Sequence, residues 1–263
     1  MISRLIDLII FGLIAFNGWL RRVFTDSVIR FKASYGGPHV IYPVMTAKEI
    51  KPKWFEAMID KAKAETKAGR KGSVKFTRCP GMHDYIQEGY IIRAHTDIHI
   101  KANSSGVVVS VSHAEDPAMA VAYMDNDVVE GIAPIDGVKM KVVKVPLPYG
   151  IYTEPGHSVH LIPALLHSTF LDKLFVYPGT VDYDQFHTAN FIFTPIRPCE
   201  FTIKAGEPLL HALPFKRVSY HGVCGSPTKW EKLKHKYGFP SRALGYYRRM
   251  FHFKKTYTNE VQE

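Results

Sequence analysis

A succession of short apolar runs between residues 90 and 215, separated by turns rich in glycine and proline, most constrains the fold. The first run, from Tyr90 to Lys101, alternates apolar and polar residues with the two-residue period of an extended chain. About eight such runs at this spacing are typical of a jelly roll or a cupin-like double-stranded β-helix. We therefore predict a mainly β sandwich of this type.

Sequence patterns also predict the individual elements of this sandwich. Alternation and bounding turns predict further strands over 107–112, 141–145, 158–163, 176–181, 190–194, 201–203 and 208–215. The last two are predicted as a strand, a tight turn and a strand. Helices are predicted over 52–68 and from Pro80 through Ile86, each opened by a proline and ended by a glycine. Beyond Arg217 the pattern is helical over 229–237 and 241–255, and 256–263 is expected to fray.

The chain is predicted to be one domain with two appendages. Residues 1–33 form a hydrophobic N-terminal helix, 34–217 the β-sandwich body with two short helices near its start, and 218–263 a basic helical tail. The apolar content of 46% and the charged content of 22% are those of a folded protein. Three widely spaced cysteines, Cys79, Cys199 and Cys224, argue against a disulfide framework and for a reducing compartment.

The N-terminal appendage contains an apolar segment from Leu5 to Leu20, flanked by arginines. It is shorter than the ~20 residues that span a bilayer comfortably, and its apolar side chains surround a helical wheel. Three interpretations stay open: a membrane anchor or membrane-lying helix, a helix packed on the body or on a partner, and a signal peptide. If the segment inserts, the basic residues that follow it keep the body on the cytoplasmic side.

The net charge of +10 is concentrated in the C-terminal segment. Residues 216–263 contain eleven lysines and arginines against three glutamates, and so carry +8 of this charge. Such a surface attracts an anionic membrane, an acidic protein or nucleic acid. The predicted patch for an anionic partner comprises Lys229, Lys232, Lys234, Lys236, Arg242, Arg248, Arg249, Lys254 and Lys255.

A non-haem iron site is the sharpest catalytic hypothesis. On the polar face of the first strand, His95 and Asp97 are spaced to project together, as two ligands of a two-histidine, one-carboxylate Fe(II) site must. His187 would supply the third ligand, with His157 or His160 as an alternative to it, and Arg197 the cation that holds 2-oxoglutarate. The same residues have ordinary interpretations: an exposed strand histidine, an aspartate that accepts from backbone donors, and a hydrogen-bonded turn histidine.

Several separated motifs occur in a characteristic order: Cys79-Pro-Gly-Met-His-Asp-Tyr85, Gly89-Tyr-Ile-Ile92, Pro155-Gly-His-Ser-Val159, Pro178-Gly-Thr-Val-Asp-Tyr-Asp-Gln-Phe-His187, Ile203-Lys-Ala-Gly-Glu-Pro-Leu209 and Pro214-Phe-Lys-Arg217. In these motifs the chain, over roughly residues 40–257, resembles an uncharacterised family of tailed phages, notably those of marine cyanobacteria, and of bacteria. The resemblance implies a sandwich of cupin or jelly-roll type with a basic, aromatic C-terminal helix. It implies no established activity.

Two classes of function follow. The first is a binding, structural or assembly protein of phage type, held at a membrane through Leu5 to Leu20 or paired with a protein partner or a second copy. The second is an Fe(II)- and 2-oxoglutarate-dependent oxygenase. Nucleic-acid binding by the tail is a weaker third option, because aromatic residues alternate there with cations but no reading motif is present. The predicted location is the host cytoplasm or the cytoplasmic face of a membrane, with virion association as a further expectation.

Overall fold

The computed structural model describes residues 27–33, 42–69, 79–112, 120–124, 141–222, 224–232 and 256–258. Strands account for 44% of the described residues and helices for 15%, and the strands form several antiparallel sheets. The mainly β prediction is therefore confirmed.

Two helices precede most of the strands, as predicted. Helix α1 spans Lys53–Lys67 and follows Pro52, whose fixed φ suits the start of a helix. Helix α2 spans Pro80–Gln87. Each helix buries one large apolar side chain completely, Phe55 in α1 and Ile86 in α2, so packing on the body adds to their intrinsic helix propensity.

The strands belong to three sheets, and every pairing between described strands is antiparallel. The first sheet comprises β1 (Ile29–Ala33), β6 (Ala122–Met124), β7 (Val142–Thr153), β9 (Leu174–Val176) and β11 (Thr188–Pro195), in the order β1-β7-β11-β9 with β6 also paired to β7. The second comprises β2 (Met45–Thr46), β3 (Tyr90–Arg93), β8 (His157–Pro163), β10 (Gly179–Val181) and β13 (Pro208–Lys216), in the order β10-β8-β13-β3-β2. The third comprises β4 (Ile98–Asn103), β5 (Gly106–Val111) and β12 (Cys199–Ile203), in the order β12-β4-β5.

One hydrophobic core draws on all three sheets. Val145 and Phe191 enter it from the first sheet, Ile92 from the second, and Ile100 and Ile203 from the third. All five side chains are at most 1% exposed. Burying one such side chain contributes about 1.5–3 kcal/mol, so this shared core is the main term that holds the sheets together.

The predicted first strand is interrupted. Instead of continuing from Tyr90 to Lys101, the chain bends at residues 94–97, so that β3 lies in the second sheet and β4 in the third. The predicted alternation nevertheless persists through the bend, since Ile92, Ala94 and Ile98 are all fully buried. The two-residue period of the sequence thus identified the face that points into the core. The change from one sheet to the other depends on strands β12 and β13, which are far away in the sequence.

The chain makes the reverse crossing at residues 204–207. The predicted strand, turn and strand are present, but β12 pairs with β4 and β13 pairs with β3 and β8. The two crossings are joined by backbone hydrogen bonds: Ala94 N donates to Glu207 O at 2.8 Å, and Gly206 N donates to Ala94 O at 2.7 Å. They therefore form one corner. A similar split divides the strand predicted over 176–181 into β9 and β10, which belong to different sheets.

The C-terminal end returns to the body. The ring of Tyr257 packs edge-on against Tyr90, with 5.7 Å between ring centroids, and its hydroxyl donates to Glu88 Oε1 at 3.1 Å. Tyr257 also packs against the hydrophobic core. The expected fraying is therefore wrong for residues 256–258.

Candidate functional site

His95 lies in the corner between β3 and β4. Its ring is partly buried, and its Nδ1 has no hydrogen-bond partner in the part of the chain that the structure describes. Burial lowers the pKa of the imidazole, so the neutral form is favoured. His95 is therefore not the exposed strand histidine that its ordinary interpretation predicts. It is a partly buried residue of the corner.

Asp97 closes the same corner. Its Oδ1 accepts from the Ala205 amide at 2.9 Å, and its Oδ2 accepts from Lys204 Nζ at 2.7 Å. The Lys204 hydrogen bond, followed by that of the Ala205 amide, lowers the pKa of the carboxyl group. Both carboxylate oxygens therefore accept hydrogen bonds from the crossing between β12 and β13. This agrees with the ordinary interpretation, in which Asp97 accepts from backbone donors.

We expect Asp97→Ala to lower the melting temperature by a few degrees, because the substitution removes both acceptors that tie the two crossings together. Thermal unfolding followed by circular dichroism measures this shift. The control is Asp60→Ala, which removes an exposed ion pair with Lys63 on α1. Equal melting temperatures for the two variants would contradict the structural role of Asp97.

His187 and Arg197 occupy other places. His187 Nδ1 lies 3.1 Å from Tyr183 O and 3.2 Å from Ile151 O, and its ring stacks on Tyr152 with 4.1 Å between centroids. It is therefore a hydrogen-bonded turn histidine, as the ordinary interpretation has it. Arg197 forms an ion pair with Asp172.

The four predicted oxygenase residues do not form a shared centre. Asp97 faces the corner at Lys204, His187 the loop beside β7, and Arg197 its ion pair with Asp172. No three His, Cys, Asp or Glu side chains among the described residues are arranged to hold a metal ion. The geometry of these residues thus gives the predicted Fe(II) and 2-oxoglutarate site no support.

A different region brings both ends of the body together. Ser27 Oγ lies 3.2 Å from His157 Nε2, and Ile29 pairs with Thr153 at the end of β7. At the end of β13, Lys216 pairs with His157 across β8 and β13. The first described residue and the last residue of β13 therefore lie beside the same histidine. We call this surface around His157 the exit end.

An ion-pair cluster fixes the geometry of the exit end. The two terminal nitrogens of Arg217 bind the carboxylate of Asp184 as a fork, with contacts of 2.9 and 2.5 Å. The Arg217 guanidinium, together with the Gly156 amide, lowers the pKa of Asp184 to about 2. Arg217 also lies 3.1 Å from Asp182, which accepts from Ser158 Oγ at 2.5 Å. This cluster ties the last residue before the tail to the turn at Gly156.

Apolar and basic side chains surround the exit end. Val28 is 43% exposed, Val218 52% and Tyr220 90%. Lys216 and Arg30 are exposed beside them. Sequence patterns alone did not reveal this surface, although several of its components, among them His157, Asp184 and Arg217, lie within the motifs described above. The signal was available there, because paired acidic residues in one motif and a terminal arginine in another favour an ion pair.

Most of the appendages lies outside the described residues. This applies to the apolar segment from Leu5 to Leu20 and to the tail cations Lys234, Lys236, Arg242, Arg248, Arg249, Lys254 and Lys255. Lys229 and Lys232 are described and exposed, and residues 229–232 are helical, with the Thr228 hydroxyl accepting from the Glu231 amide at 3.2 Å. In the described ranges, which begin at residue 27, no helix is long and apolar enough to cross a membrane.

Comparisons with known proteins supply no relative from which a role can be taken. No protein-family model matches the sequence, and no curated protein matches it significantly.

Proposed function

We propose that this protein is a non-catalytic binding or assembly protein of jelly-roll type, held at an anionic membrane surface through its N-terminal apolar segment and its basic tail. One observation carries the proposal: Ser27 and Lys216 both contact or pair with His157, so the two appendages depart from one end of the body. We also propose that the protein belongs to the phage-type family that its motifs resemble.

The strand order supports the jelly-roll part of the proposal. Neighbouring strands in the second sheet, β10-β8-β13-β3, come from distant segments, and β7-β11-β9 in the first sheet interleave with them along the chain. Such interleaving between two facing antiparallel sheets is typical of jelly rolls, where chain-distant strands become neighbours. The crossings at 94–97 and 204–207 link the second and third sheets, and strands that change sheets at such corners are common in β-sandwiches.

The exit end supports membrane attachment because the residues that connect both weak membrane signals to the body, Ser27 and Lys216, lie beside one histidine. An apolar segment too short to span a bilayer reliably still binds the interface, and each lysine or arginine near an anionic surface adds about 1 kcal/mol. Tyr220, 90% exposed, is the kind of amphipathic side chain that favours the headgroup region. Signals on opposite ends of the body could not engage one bilayer at the same time.

Vesicle flotation of the full chain tests this proposal. We expect the protein to float with vesicles that contain phosphatidylserine and to bind less to purely zwitterionic vesicles. Combining Ile9→Lys with Leu13→Lys should abolish flotation, because a charge at the centre of an apolar helix costs about 2.5–3.5 kcal/mol. Replacing Lys229, Lys232, Lys234 and Lys236 by glutamine should weaken binding at least about tenfold on anionic vesicles only.

The matched control replaces four lysines on α1, namely Lys53, Lys61, Lys63 and Lys67, by glutamine. The change in net charge is the same, but α1 contacts the body near Leu166, beyond the end of β8 opposite to His157. Flotation of this variant should equal that of the natural protein. If the full chain stays in the soluble fraction with both kinds of vesicle, or if both lysine variants bind equally, membrane attachment at the exit end is refuted.

A further inference from the structure

His211 is a buried imidazole with one uncommitted nitrogen. It lies on β13 and is 0% exposed. Its Nε2 donates to the backbone carbonyl of Glu88. That hydrogen bond places the proton on Nε2 and leaves the lone pair on Nδ1, which has no hydrogen-bond partner in the described parts of the chain. A histidine whose second nitrogen donates to a backbone carbonyl is the usual form of a metal-binding histidine.

His167 faces His211 from a short, well-fixed turn. The centroids of the two rings are 6.0 Å apart, at an angle of 71°. Ser168 Oγ donates to Pro208 O at 2.7 Å, and Trp54 Nε1 donates to Leu166 O at 2.9 Å, so both sides of His167 are tied to neighbouring elements. Both ring nitrogens are buried. The backbone of Ile50 approaches one of them closely enough to raise the pKa of the ring, and the other has no hydrogen-bond partner within the described residues.

Tyr85 completes the cluster from α2. Its ring packs edge-on against His211, with 5.3 Å between centroids. Its hydroxyl is buried and has no hydrogen-bond partner within the described ranges. Buried polar atoms in folded proteins almost always have a hydrogen-bond partner or a metal ion beside them. Several such nitrogen and oxygen atoms without a partner in one place therefore indicate that they share a bound ligand.

We propose that His167, His211 and Tyr85 form a binding site for a divalent first-row transition-metal ion of the zinc and cobalt class. Imidazole nitrogens are preferred ligands of such ions. Burial raises the pKa of the Tyr85 hydroxyl, so this oxygen becomes a ligand only when the charge of the bound ion displaces its proton. Since no three His, Cys, Asp or Glu side chains converge among the described residues, the tyrosine oxygen is required to complete the set. The site is separate from the exit end and does not depend on membrane attachment.

The spacing of the two imidazole rings is close to that of a shared ion. An ion about 2.0–2.1 Å from a ring nitrogen lies roughly 3.2 Å from the ring centre, so two imidazoles that share it at a tetrahedral angle have centres about 5.2 Å apart. The observed distance is 6.0 Å, so the rings must approach each other by about 0.8 Å when the ion binds. The Tyr85 ring lies 5.3 Å from His211.

The electrostatic surroundings favour neutral imidazoles, which are the metal-binding form. Burial, followed by repulsion from His211, lowers the pKa of His167 to about 4. Burial also lowers the pKa of His211, while the Glu88 carbonyl and then its carboxylate act in the opposite direction. Near neutral pH both rings therefore present lone pairs, and the negative charge of Glu88 lies close enough to offset part of the charge of a bound cation.

Titration of the purified full-length protein with Co²⁺ alone, followed by visible absorption, tests the site. We expect one equivalent to bind with d–d bands that Zn²⁺ abolishes by competition. His167→Gln and His211→Asn should each weaken binding by roughly tenfold or more. Tyr85→Phe keeps the ring packing but removes the oxygen, so it should shift the bands as well as lower the affinity.

Two controls separate this site from accidental ligands. His160→Gln removes an exposed histidine of β8, and combining Cys79→Ser with Cys224→Ser removes the two exposed thiols. Both controls should bind Co²⁺ as the natural protein does. Failure of the folded natural protein to bind, or equal binding by folded His167→Gln and Tyr85→Phe variants, would overturn the proposal and leave an ordered water as the shared partner. These two variants decide the question even if His211→Asn does not fold.

Discussion

Replacing Gly89 by alanine is expected to destabilise the protein by roughly 3–5 kcal/mol, an effect near the upper end for single substitutions. Gly89 joins α2 to β3 with a φ of +71°, a conformation that L side chains rarely adopt. An added Cβ would also collide with the backbone carbonyl of Ala212 and would lie 2.8 Å from Leu213 Cδ2. Because Ala212 is held in the middle of the second sheet, the carbonyl cannot move aside cheaply.

Gly69→Ala is the matched control for this prediction. Gly69 has nearly the same φ, +66°, but a Cβ there would have no atom within 4 Å. The control should cost only about 1–2 kcal/mol, which is the conformational term by itself. Urea unfolding gives the free energy of unfolding of both variants. The difference between them measures the cost of the steric clash at Gly89, beyond the cost of the positive φ that both positions share. Similar free energies of unfolding for the two variants would show that the close approach of α2 to β13 is not rigid.

The second large effect is a dependence of stability on mildly acidic pH. The pKa of His167 is lowered to about 4 in the folded protein by burial and by His211, against about 6.5 in an unfolded chain. Above about pH 6.5 neither state is protonated there. Between about pH 6.5 and 4 only the unfolded chain takes up the proton, so the free energy of unfolding falls as the pH falls. Allowing for partial solvent exposure, we expect His167 to contribute about 2 kcal/mol to this loss.

Urea unfolding at about pH 6.5 and about pH 4.5 checks this dependence. His167→Gln should make the pH profile less steep across this window, and the lowered pKa values of His95 and His211 account for slope that remains. His221→Gln, at an exposed position, should leave the profile unchanged. Carboxylates with lowered pKa values, such as Asp184, lose their contribution only as the pH falls towards their folded-state pKa of about 2 and so act at more acidic pH. A profile that is equally steep in His167→Gln would refute the assignment. Bound metal should steepen the profile, because protons and the ion compete for the same nitrogens.

Local patterns predicted the elements of this fold well. The alternation from Ile92 to Ile100 identified the buried face, and proline and glycine signals located α1 and α2 close to their observed bounds. These features depend on interactions within a few residues, which the sequence contains directly. For Asp97 and His187, too, their ordinary interpretations described the contacts that the side chains make.

The assembly of these elements depends on partners distant in the chain. The residues of the corner at Asp97 and Ala205 are 108 apart, and Asp97 accepts from Ala205 only because two strands change sheets at the same place. The exposed exit end arises because the register of β8 and β13 sets Lys216 opposite His157. Neither arrangement leaves a periodic signal in the sequence.

The sequence by itself thus determined a mainly β chain, the inward face of its strands, two early helices and the concentration of positive charge in its last segment. Only the tertiary structure decided which strands share a sheet, that Ser27 and Lys216 lie beside His157, and that His167 and His211 meet under α2. The physical reason is that alternation and turn chemistry act over a few residues, whereas sheet order is chosen by the burial of one common core. A histidine within the apolar run of β13 was the only local sign of the buried cluster, and its meaning depended on the groups that packing placed around it.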